Sequence, residues 1–398
     1  MKKLVLGLAA GIVVAVAVGG GLNAQDDPSV SQLHGVLGYV PSEAAAAESG
    51  WATVRFVDYE ALFESEGLSL FRARGSVNLL MTAVHLGAVF GRIAAGPEAL
   101  RYVFASAGQM ADVVGFEWLL DVDCSLEFGD APDVGLVLGG DFDAVKIGAA
   151  LEGRGFDLAN IQGVPVWHRF DDSAISLAAR DLADPFGGHL GSAARIALLP
   201  NALGNARTWP LIEAIIGAAQ STQPSLADDP VYRALAGAVS ESDGLLIQAL
   251  FFSEAALRLA DDGTETAQIS TEDLEPLPQY LGAVLADRQE GDDQVHLIGL
   301  VCEDMAAGQV AADVLARRVE EFHPAFGDGA PLVDQFGATV SIREVRELED
   351  GRAVAVVEAR YPVPAERTDP ETGQYGTLGL LFRSWTQSTL ARVFTPLQ

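Results

Sequence analysis

The chain has 398 residues, of which 49% are hydrophobic, and it carries a formal net charge of −30 at neutral pH. This composition supplies a packed core and excludes wholesale disorder, and the length accommodates two modest domains or one large one. A negative charge of this size disfavours nucleic acid and anionic lipid headgroups as partners. It favours solubility alone or the attraction of cations or a basic partner.

The N-terminal segment predicts an export signal over residues 1–24. Lys2 and Lys3 precede a long apolar run, and Ala24 stands directly before polar residues, as expected at a cleavage site. Cleavage would remove both lysines and change the formal charge from −30 to −32. If the signal stays uncleaved, residues 4–22 would form an N-terminal anchor, which is the one membrane contact that we predict. No cysteine stands directly after the apolar run, so a lipoprotein anchor is excluded.

Residues 25–50 are predicted to be a linker, and residues 51–260 a first α+β domain. Period-two alternation indicates strands, and apolar positions three or four residues apart indicate helices. The first elements are a strand over 51–58, a short helix over 59–65, a buried helix over 77–93, a helix over 97–114 and a strand over 119–128.

The stretch 133–178 predicts a strand, a capped helix, a strand, a tight turn and a strand. Asp141 is placed to cap the helix after Gly139-Gly140. The dipeptide Gln162-Gly163 indicates a turn, and Asp171-Asp172 indicates a reversal into a strand over 173–178.

The strand after Gln162-Gly163 has two different faces. Alternation places Val164, Val166 and His168 on one face and Trp167 and Arg169 on the other. Beyond this unit we predict a strand over 195–200, helices over 208–219 and 229–239, and a strand over 245–252. The second of these helices would be capped by Asp228 or Asp229 and begin at Pro230.

Residues 261–279, with two prolines and several acids, are the predicted boundary, and residues 280–398 form a second α+β module. That module has strands over 280–287 and 295–302, a long helix, a hairpin through Asp350-Gly351 and a helix around 381–394. Its order of strand, helix, strand, strand repeats that of the central stretch. The fold class is therefore predicted as α+β, with mixed or antiparallel sheets covered by helices.

Cys124 and Cys302 are the two cysteines of the chain. In an exported protein an even count permits a disulfide, which here would tie the two modules together. The alternative is that both thiols are small buried apolar side chains.

Three phrases, GDFDAVKIGAALEGRGF, IQGVPVW and PSLADDPVYRALA, resemble exported bacterial proteins of uncharacterised, domain-of-unknown-function families. The resemblance spans about residues 115–239. It departs from the pattern at Phe156, where tyrosine is usual, and at Ile161, where an aromatic residue is usual. The resemblance implies an extracytoplasmic α+β protein and supplies no catalytic residues.

Motifs for chemistry are absent from the sequence. There is no G-x-S-x-G or S-x-x-K, no H-E-x-x-H or paired C-x-x-C, and no phosphate-binding glycine loop. His168, Asp171, Asp172 and Ser173 are close in sequence, but they span a strand and its turn, so we interpret them as turn residues that face different sides. No catalytic, cofactor-binding or metal-ligating residue is therefore predicted.

Calcium is the one ion that we consider, because its oxygen ligands could come from the acidic loops at 261–262, 290–293 and 328. None of these loops has the spacing of an EF-hand. We predict an exported, non-enzymatic binding or scaffold protein with a protein or small-molecule partner. The alternatives are an extracytoplasmic hydrolase with a carboxylate-based site, and a carrier of an apolar ligand beside the helix over 77–93.

Overall fold

The structure is a computed structural model that describes residues 28–45, 53–75, 92–93, 96–103, 106, 108–130, 133–241, 244–252, 275–322, 331, 333–334 and 337–362. The predicted signal, the predicted helices over 77–93 and 381–394, and most of the predicted boundary over 261–279 lie outside these residues, apart from residues 92–93 and 275–279.

Twelve strands form one sheet in which every neighbouring pair is antiparallel. The strands are β1 Thr53–Asp58, β2 Cys124–Asp130, β3 Asp133–Gly139, β4 Asp157–Ile161, β5 Val164–Arg169, β6 Ala194–Leu199, β7 Ala202–Ala206, β8 Leu245–Phe252, β9 Tyr280–Glu290, β10 Asp293–Cys302, β11 Thr339–Glu347 and β12 Ala353–Pro362. Their order across the sheet is β11-β12-β10-β9-β8-β1-β2-β3-β7-β6-β5-β4.

Helices cover both faces of this sheet. They are α1 Pro28–Leu37, α2 Ser42–Ala45, α3 Tyr59–Ser65, α4 Ser69–Ala73, α5 Leu100–Val103, α6 Met110–Val114, α7 Trp118–Asp121, α8 Ala144–Gly153, α9 Trp209–Ala219, α10 Pro230–Ser240 and α11 Met305–Glu320. The α+β fold class is confirmed, with a purely antiparallel sheet.

The two predicted modules share this one sheet. The first runs β3-α8-β4-β5 and the second runs β10-α11-β11-β12, and they lie on opposite sides of the central β1–β8 pair. In the second module β12 pairs directly with β10, whereas in the first the β6–β7 hairpin lies between β3 and β5.

Alternation along the strands divides the core into two layers. We call the side that carries Val57, Leu138 and Leu285 face A, and the side that carries Phe56 and Val137 face B. Face A is covered by α3, α6, α7 and α8 at one end and by α11 at the other, and face B is covered by α1, α9 and α10. At about 25 cal/mol per Å² of buried apolar surface, these three clusters are the main stabilising contribution.

Several local predictions are confirmed by the structure. Asp229 caps α10 and accepts the backbone N–H of Val231 at 2.8 Å, and Pro230 is the first helical residue. Strands β6 and β8 and helix α9 form where the sequence pattern places them. The β11–β12 hairpin turns at the predicted Asp350-Gly351, where Gly351 has a φ of 84° that favours glycine.

The helix α8 begins two residues later than predicted. Its cap is Asp143, which accepts the backbone N–H groups of Val145 and Lys146 at 3.0 and 3.1 Å, and not Asp141. The intervening Phe142 packs edge-on against Phe116 with ring centroids 5.3 Å apart. The backbone of Asp143 is extended, with φ −77° and ψ 100°, so the helix starts after this residue.

Four other predictions need correction. Residues 28–45, predicted as linker, contain α1 and α2, because Leu33, Val36 and Leu37 are buried against face B. The predicted helix over 97–114 is divided into α5 and α6, and the strand predicted from residue 119 begins only at Cys124, after α7. The predicted strand over 173–178 is a loop with an isolated bridge from Ile175 to Ser192.

The cysteines do not form the disulfide that their even number permitted. Both Cys124 and Cys302 are free and buried. They lie on β2 and β10, four strand spacings of about 4.8 Å apart, and they contribute to hydrophobic clusters on opposite faces. A disulfide needs Cα atoms within about 7 Å, so the alternative of two small apolar side chains is the observed one.

A charged pair is fully buried on face A between the clusters of the two halves. Arg92 and Asp287 have no solvent exposure, and two hydrogen bonds of 2.9 and 2.8 Å join the guanidinium to the carboxylate. Gln248 and Gln294 donate to the same carboxylate at 3.1 and 2.9 Å. Burial alone would raise the pKa of Asp287, but the Arg92 charge and these donors hold that pKa below its ordinary value.

We expect Asp287→Ala to lower the free energy of unfolding by about 3–5 kcal/mol, because it removes the hydrogen-bonded counter-charge of buried Arg92 and leaves the more distant Glu66 carboxylate, at 3.9 Å. Urea unfolding of the parent and the variant measures this difference. The control is Glu275→Ala, which removes an exposed ion pair with Arg317 and should cost less than about 1 kcal/mol. Equal costs for the two variants would contradict the prediction.

Candidate functional site

An open cleft of about 530 Å³ lies on face B at the β4 end of the sheet. It is formed where β4, β5 and β6 meet the N-terminus of α9, and its volume lies within the usual range of binding pockets. The residues that line it are Asp157, His168, Phe170, Asp171, Asp172, Arg195 and Trp209.

Strand pairing brings three of these residues together. Asp157 lies opposite His168 in the β4–β5 pair, and His168 lies opposite Arg195 in the β5–β6 pair. Residues directly opposite each other in an antiparallel sheet point to the same face. The β4–β5 register is set by the predicted turn, in which Gln162 and Gly163 have φ values of 51° and 87°.

Arg195 forms the floor of the cleft. Its side chain is 1% exposed, and its guanidinium pairs with Asp172 at 2.6 Å and donates to the carbonyl of Phe170 at 2.9 Å. The guanidinium carbon also lies 5.2 Å from the centroid of the Trp209 ring. Burial lowers the pKa of Arg195, and the charges of Asp172 and Asp171 oppose that effect. The guanidinium is therefore fixed in place by an acid, a carbonyl and a ring.

Asp172 has a second contact that is structural. Both of its carboxylate oxygens accept the backbone N–H of Trp209, at 3.2 and 3.3 Å. The N-cap residue Thr208 makes no side-chain hydrogen bond to α9. Asp172 thus supplies from another segment the negative charge that the helix N-terminus favours.

The residues His168, Asp171 and Asp172 line one cleft, which corrects the expectation that they face different sides. The chain reverses at Phe170, which has a φ of 63°, and this turn brings the two aspartates to the side of His168. Ser173 is not among the lining residues, and no other hydroxyl, thiol or lysine is. The His168 ring instead lies against Trp209, with centroids 4.9 Å apart.

Asp157, Arg195 and Trp209 were not predicted as site residues. One signal in the sequence could have indicated Arg195, because it is a charged residue within the otherwise apolar run RIALL of β6. A charge in a buried strand needs partners. Asp157 and Trp209 carry no comparable signal, since only the strand order brings them close.

The loop from Phe170 to Gly191, which we call the 170–191 loop, starts at the cleft, and its later part packs on face A, where Phe186 joins the core and Asp184 pairs with Arg169 at 2.8 Å. Apolar side chains are exposed along its length. Backbone hydrogen bonds from Ser176 to Gly191 and from Ala193 to Ala174, at 2.9 and 2.7 Å, hold it in shape. The exposed fractions are 41% for Phe170, 55% for Ile175, 72% for Leu177, 48% for Leu182 and 39% for Leu190. Such a group of exposed apolar side chains is typical of an interaction surface.

Two carboxylates with a raised pKa lie outside the cleft. Burial raises the pKa of Asp58 to about 7, and burial also raises the pKa of Glu117. Asp58 caps α3 by accepting the N–H of Ala61 at 2.8 Å, and Glu117 accepts the N–H of Ala111 at 3.2 Å. Neither of them lines the cleft.

Among the described residues, no group of three or more His, Cys, Asp or Glu side chains could hold a metal ion. Of the loops that suited calcium, only 290–293 is described, and there Glu290 and Asp293 form ion pairs with Arg360. Within the same described ranges, no helix has the length and apolar character needed to cross a membrane.

Comparison with known proteins identifies no family. No protein-family model and no curated protein matches the sequence. Two crystal structures of TP0453, crystal forms III and I, are distantly similar, with TM-scores of 0.35 and 0.33 and identities of 8% and 7%. They cover 82% and 81% of this chain and 94% and 93% of the TP0453 chains. The resemblance to domain-of-unknown-function families stays a prediction.

Substitution of Asp171 and substitution of Asp172 should change the stability of the protein by different amounts. Asp172→Ala removes the acceptor at the α9 N-terminus and the partner of buried Arg195, so we expect a loss of about 1–2 kcal/mol in unfolding free energy. Asp171→Ala, the matched control, removes no side-chain hydrogen bond or ion pair within the described part of the chain and should stay within about 0.5 kcal/mol of the parent. Chemical denaturation measures both, and similar losses would show that Asp172 has no structural role.

A pH titration of stability tests the environment of Asp58. The unfolded pKa is about 4, so between about pH 4 and 7 the folded chain binds more protons, and the Asp58 contribution to stability falls as pH rises. Asp58→Asn keeps a cap acceptor, so it should become progressively more stable relative to the parent across that range.

The control for this titration is Asp143→Asn on α8. Hydrogen bonds from the Lys146 and Val145 backbone lower the pKa of Asp143, so its contribution to stability changes only between the folded pKa and the unfolded pKa of about 4. The stability of this variant relative to the parent should therefore stay constant from about pH 4 to 7. Parallel profiles for Asp58→Asn and Asp143→Asn would contradict the assignment.

Proposed function

We propose that the protein is an exported, non-enzymatic binding protein that holds a partner protein at the β4 end of its sheet. The observation that carries the proposal is the 170–191 loop, which starts at the cleft and exposes apolar side chains although hydrogen bonds hold its backbone in a defined shape. A backbone held in this way loses little conformational entropy when a partner covers it.

The chemistry of the cleft favours binding over hydrolysis. A hydrolase of the carboxylate type needs one acid with a raised pKa near a second carboxylate. In the cleft, Asp172 is engaged with Arg195 and with the α9 N-terminus, and the raised-pKa acids Asp58 and Glu117 serve other helices and turns. The described residues that line the cleft thus offer shape and charge, and they include no hydroxyl, thiol or lysine.

The proposal that the protein is exported rests on its sequence alone. Residues 1–24 have the charged start, apolar run and small-residue end of a signal peptide. An extracytoplasmic location would also suit the large negative charge, which keeps the protein soluble and repels anionic surfaces.

Site-specific photo-crosslinking in cells that make the protein tests the docking surface. A photoreactive residue at Leu177, 72% exposed in the 170–191 loop, should give one discrete protein adduct, because a partner covers this position. The matched control is the same residue at Val145, which is 79% exposed on α8. Adding Leu182→Ser should remove the Leu177 adduct without changing the urea midpoint of the protein.

Two outcomes would overturn the proposal. One is equal crosslinking from Leu177 and Val145, which would show that the loop is an ordinary surface. The other is turnover of a fluorogenic ester, peptide, glycoside or phosphate substrate that His168→Gln abolishes, because that result would make the cleft the active site of a hydrolase.

A further inference from the structure

We infer that the cleft is a receptor pocket for a guanidinium or ammonium group on a basic segment of the partner. This inference rests on the proposed function and specifies what the partner must present. It follows from the charge that the cleft keeps after its internal contacts are made, from the rings in its wall, and from a guanidinium that the chain itself already binds there.

The first step concerns charge. Three carboxylates and one guanidinium line the cleft, and Asp172 neutralises Arg195 at 2.6 Å. Asp157 and Asp171 make no side-chain hydrogen bond or ion pair within the described part of the chain, and both side chains are exposed. Two negative charges thus remain at the mouth of a concave site, where low-dielectric walls strengthen their attraction for a cation.

The second step concerns the rings. Trp209, Phe170 and His168 belong to the wall of the same cleft. A cation within about 6 Å of an aromatic centroid is attracted by the electrons of the ring, and tryptophan is the strongest partner of this kind. Carboxylates that alternate with rings therefore select a cationic group that also has apolar atoms, such as the side chain of arginine or lysine.

The third step is the contact that the chain makes with itself. Arg195 pairs with Asp172, donates to the Phe170 carbonyl and lies 5.2 Å from the centroid of Trp209. Arg195 is buried and fixed, so it does not fill the open part of the cleft. Acids and a ring also line that open part, at Asp157, Asp171 and Phe170, and the Phe170 ring already lies 5.5 Å from the guanidinium carbon of Arg169.

The net negative charge of the whole protein also favours a basic partner. With a formal charge of −30, the chain attracts a basic segment over distances up to the screening length and repels acidic ones. Phe170, which lines the cleft and is 41% exposed, would then contact the apolar side chains that flank the basic residue. The negative charge of the cleft would select a basic segment, and the loop would add apolar area buried in the interface.

Calorimetry with capped peptides of equal length tests the pocket. The peptides differ only in two positions, which are arginine, lysine, glutamine or glutamate. We expect the arginine and lysine peptides to bind the protein and the other two not to bind. Raising the salt from about 50 to 500 mM should weaken that binding. The comparison of arginine with lysine shows which cation the pocket prefers.

A charge-matched pair of variants locates the binding. Asp157→Asn with Asp171→Asn should weaken the arginine or lysine peptide at least tenfold. Asp292→Asn with Glu349→Gln removes the same two charges from exposed turns of the other module and should stay within twofold of the parent. Urea midpoints of both double variants check that the fold is intact.

The outcomes separate the pocket from the docking surface. If the glutamine peptide binds as well as the arginine peptide, or if the two double variants bind equally, the cationic pocket is wrong. If no peptide binds while the Leu177 adduct persists, the pocket is also wrong but the docking surface stands. Loss of the adduct together with loss of peptide binding overturns both.

Discussion

The ion pair between Arg92 and Asp287 constrains the whole fold, because a charge can stay inside a protein only where its partners are already in place. The Asp287 carboxylate receives four hydrogen bonds, from Arg92, Gln248 and Gln294. These residues come from β8, β9, β10 and the segment before α5. A slip of β9 by one residue would turn Asp287 to face B and remove its hydrogen bonds with Arg92. The pair thus fixes the register of strands that are distant in sequence.

That register explains how two modules become one sheet. The apolar clusters of face A lie on either side of the polar group, one under α8 and its neighbours and the other under α11. On face B a single cluster runs across both halves, under α1, α9 and α10. The halves are therefore joined by an apolar layer on one face and by a buried ion pair on the other. The β1–β8 ladder forms the seam between them.

The sheet ends in two different edges. The β11 edge carries Arg343, Glu344, Arg346 and Glu347 together with an irregularity in its pairing, and charges and bulges of this kind discourage edge-to-edge association. The β4 edge has a single charge, Asp157, and an exposed Leu158. The same edge borders the cleft and the 170–191 loop. The half of the molecule that contains the inserted β6–β7 hairpin is thus the half in which the described cleft meets a sheet edge of low charge.

The local structure could be predicted from the sequence where a short pattern determines it. Asp229-Pro230 begins a helix and Gln162-Gly163 makes a turn because each needs only adjacent residues. The predicted strand over 173–178 failed because its alternation exists without a partner strand, and β7 was missed because ALGNA has little alternation at all. The cleft could not be predicted, since Asp157, His168 and Arg195 meet through pairings set by the order of β4, β5 and β6. That order depends on long-range contacts.

The cleft also shows how a site can arise from structural requirements. The α9 N-terminus needs an acceptor, and Asp172 supplies one; Arg195 in a buried strand needs a counter-charge, and the same Asp172 supplies it. These two needs place an acid, a guanidinium and the Trp209 ring together at the end of the sheet. Fold stability accounts for every contact of Asp172, and the charge of Asp171 also acts on buried Arg195. Asp157 is exposed opposite His168, and its side chain makes no hydrogen bond or ion pair with the described residues. The proposed binding role gives the charge of Asp157 a function that the fold does not require.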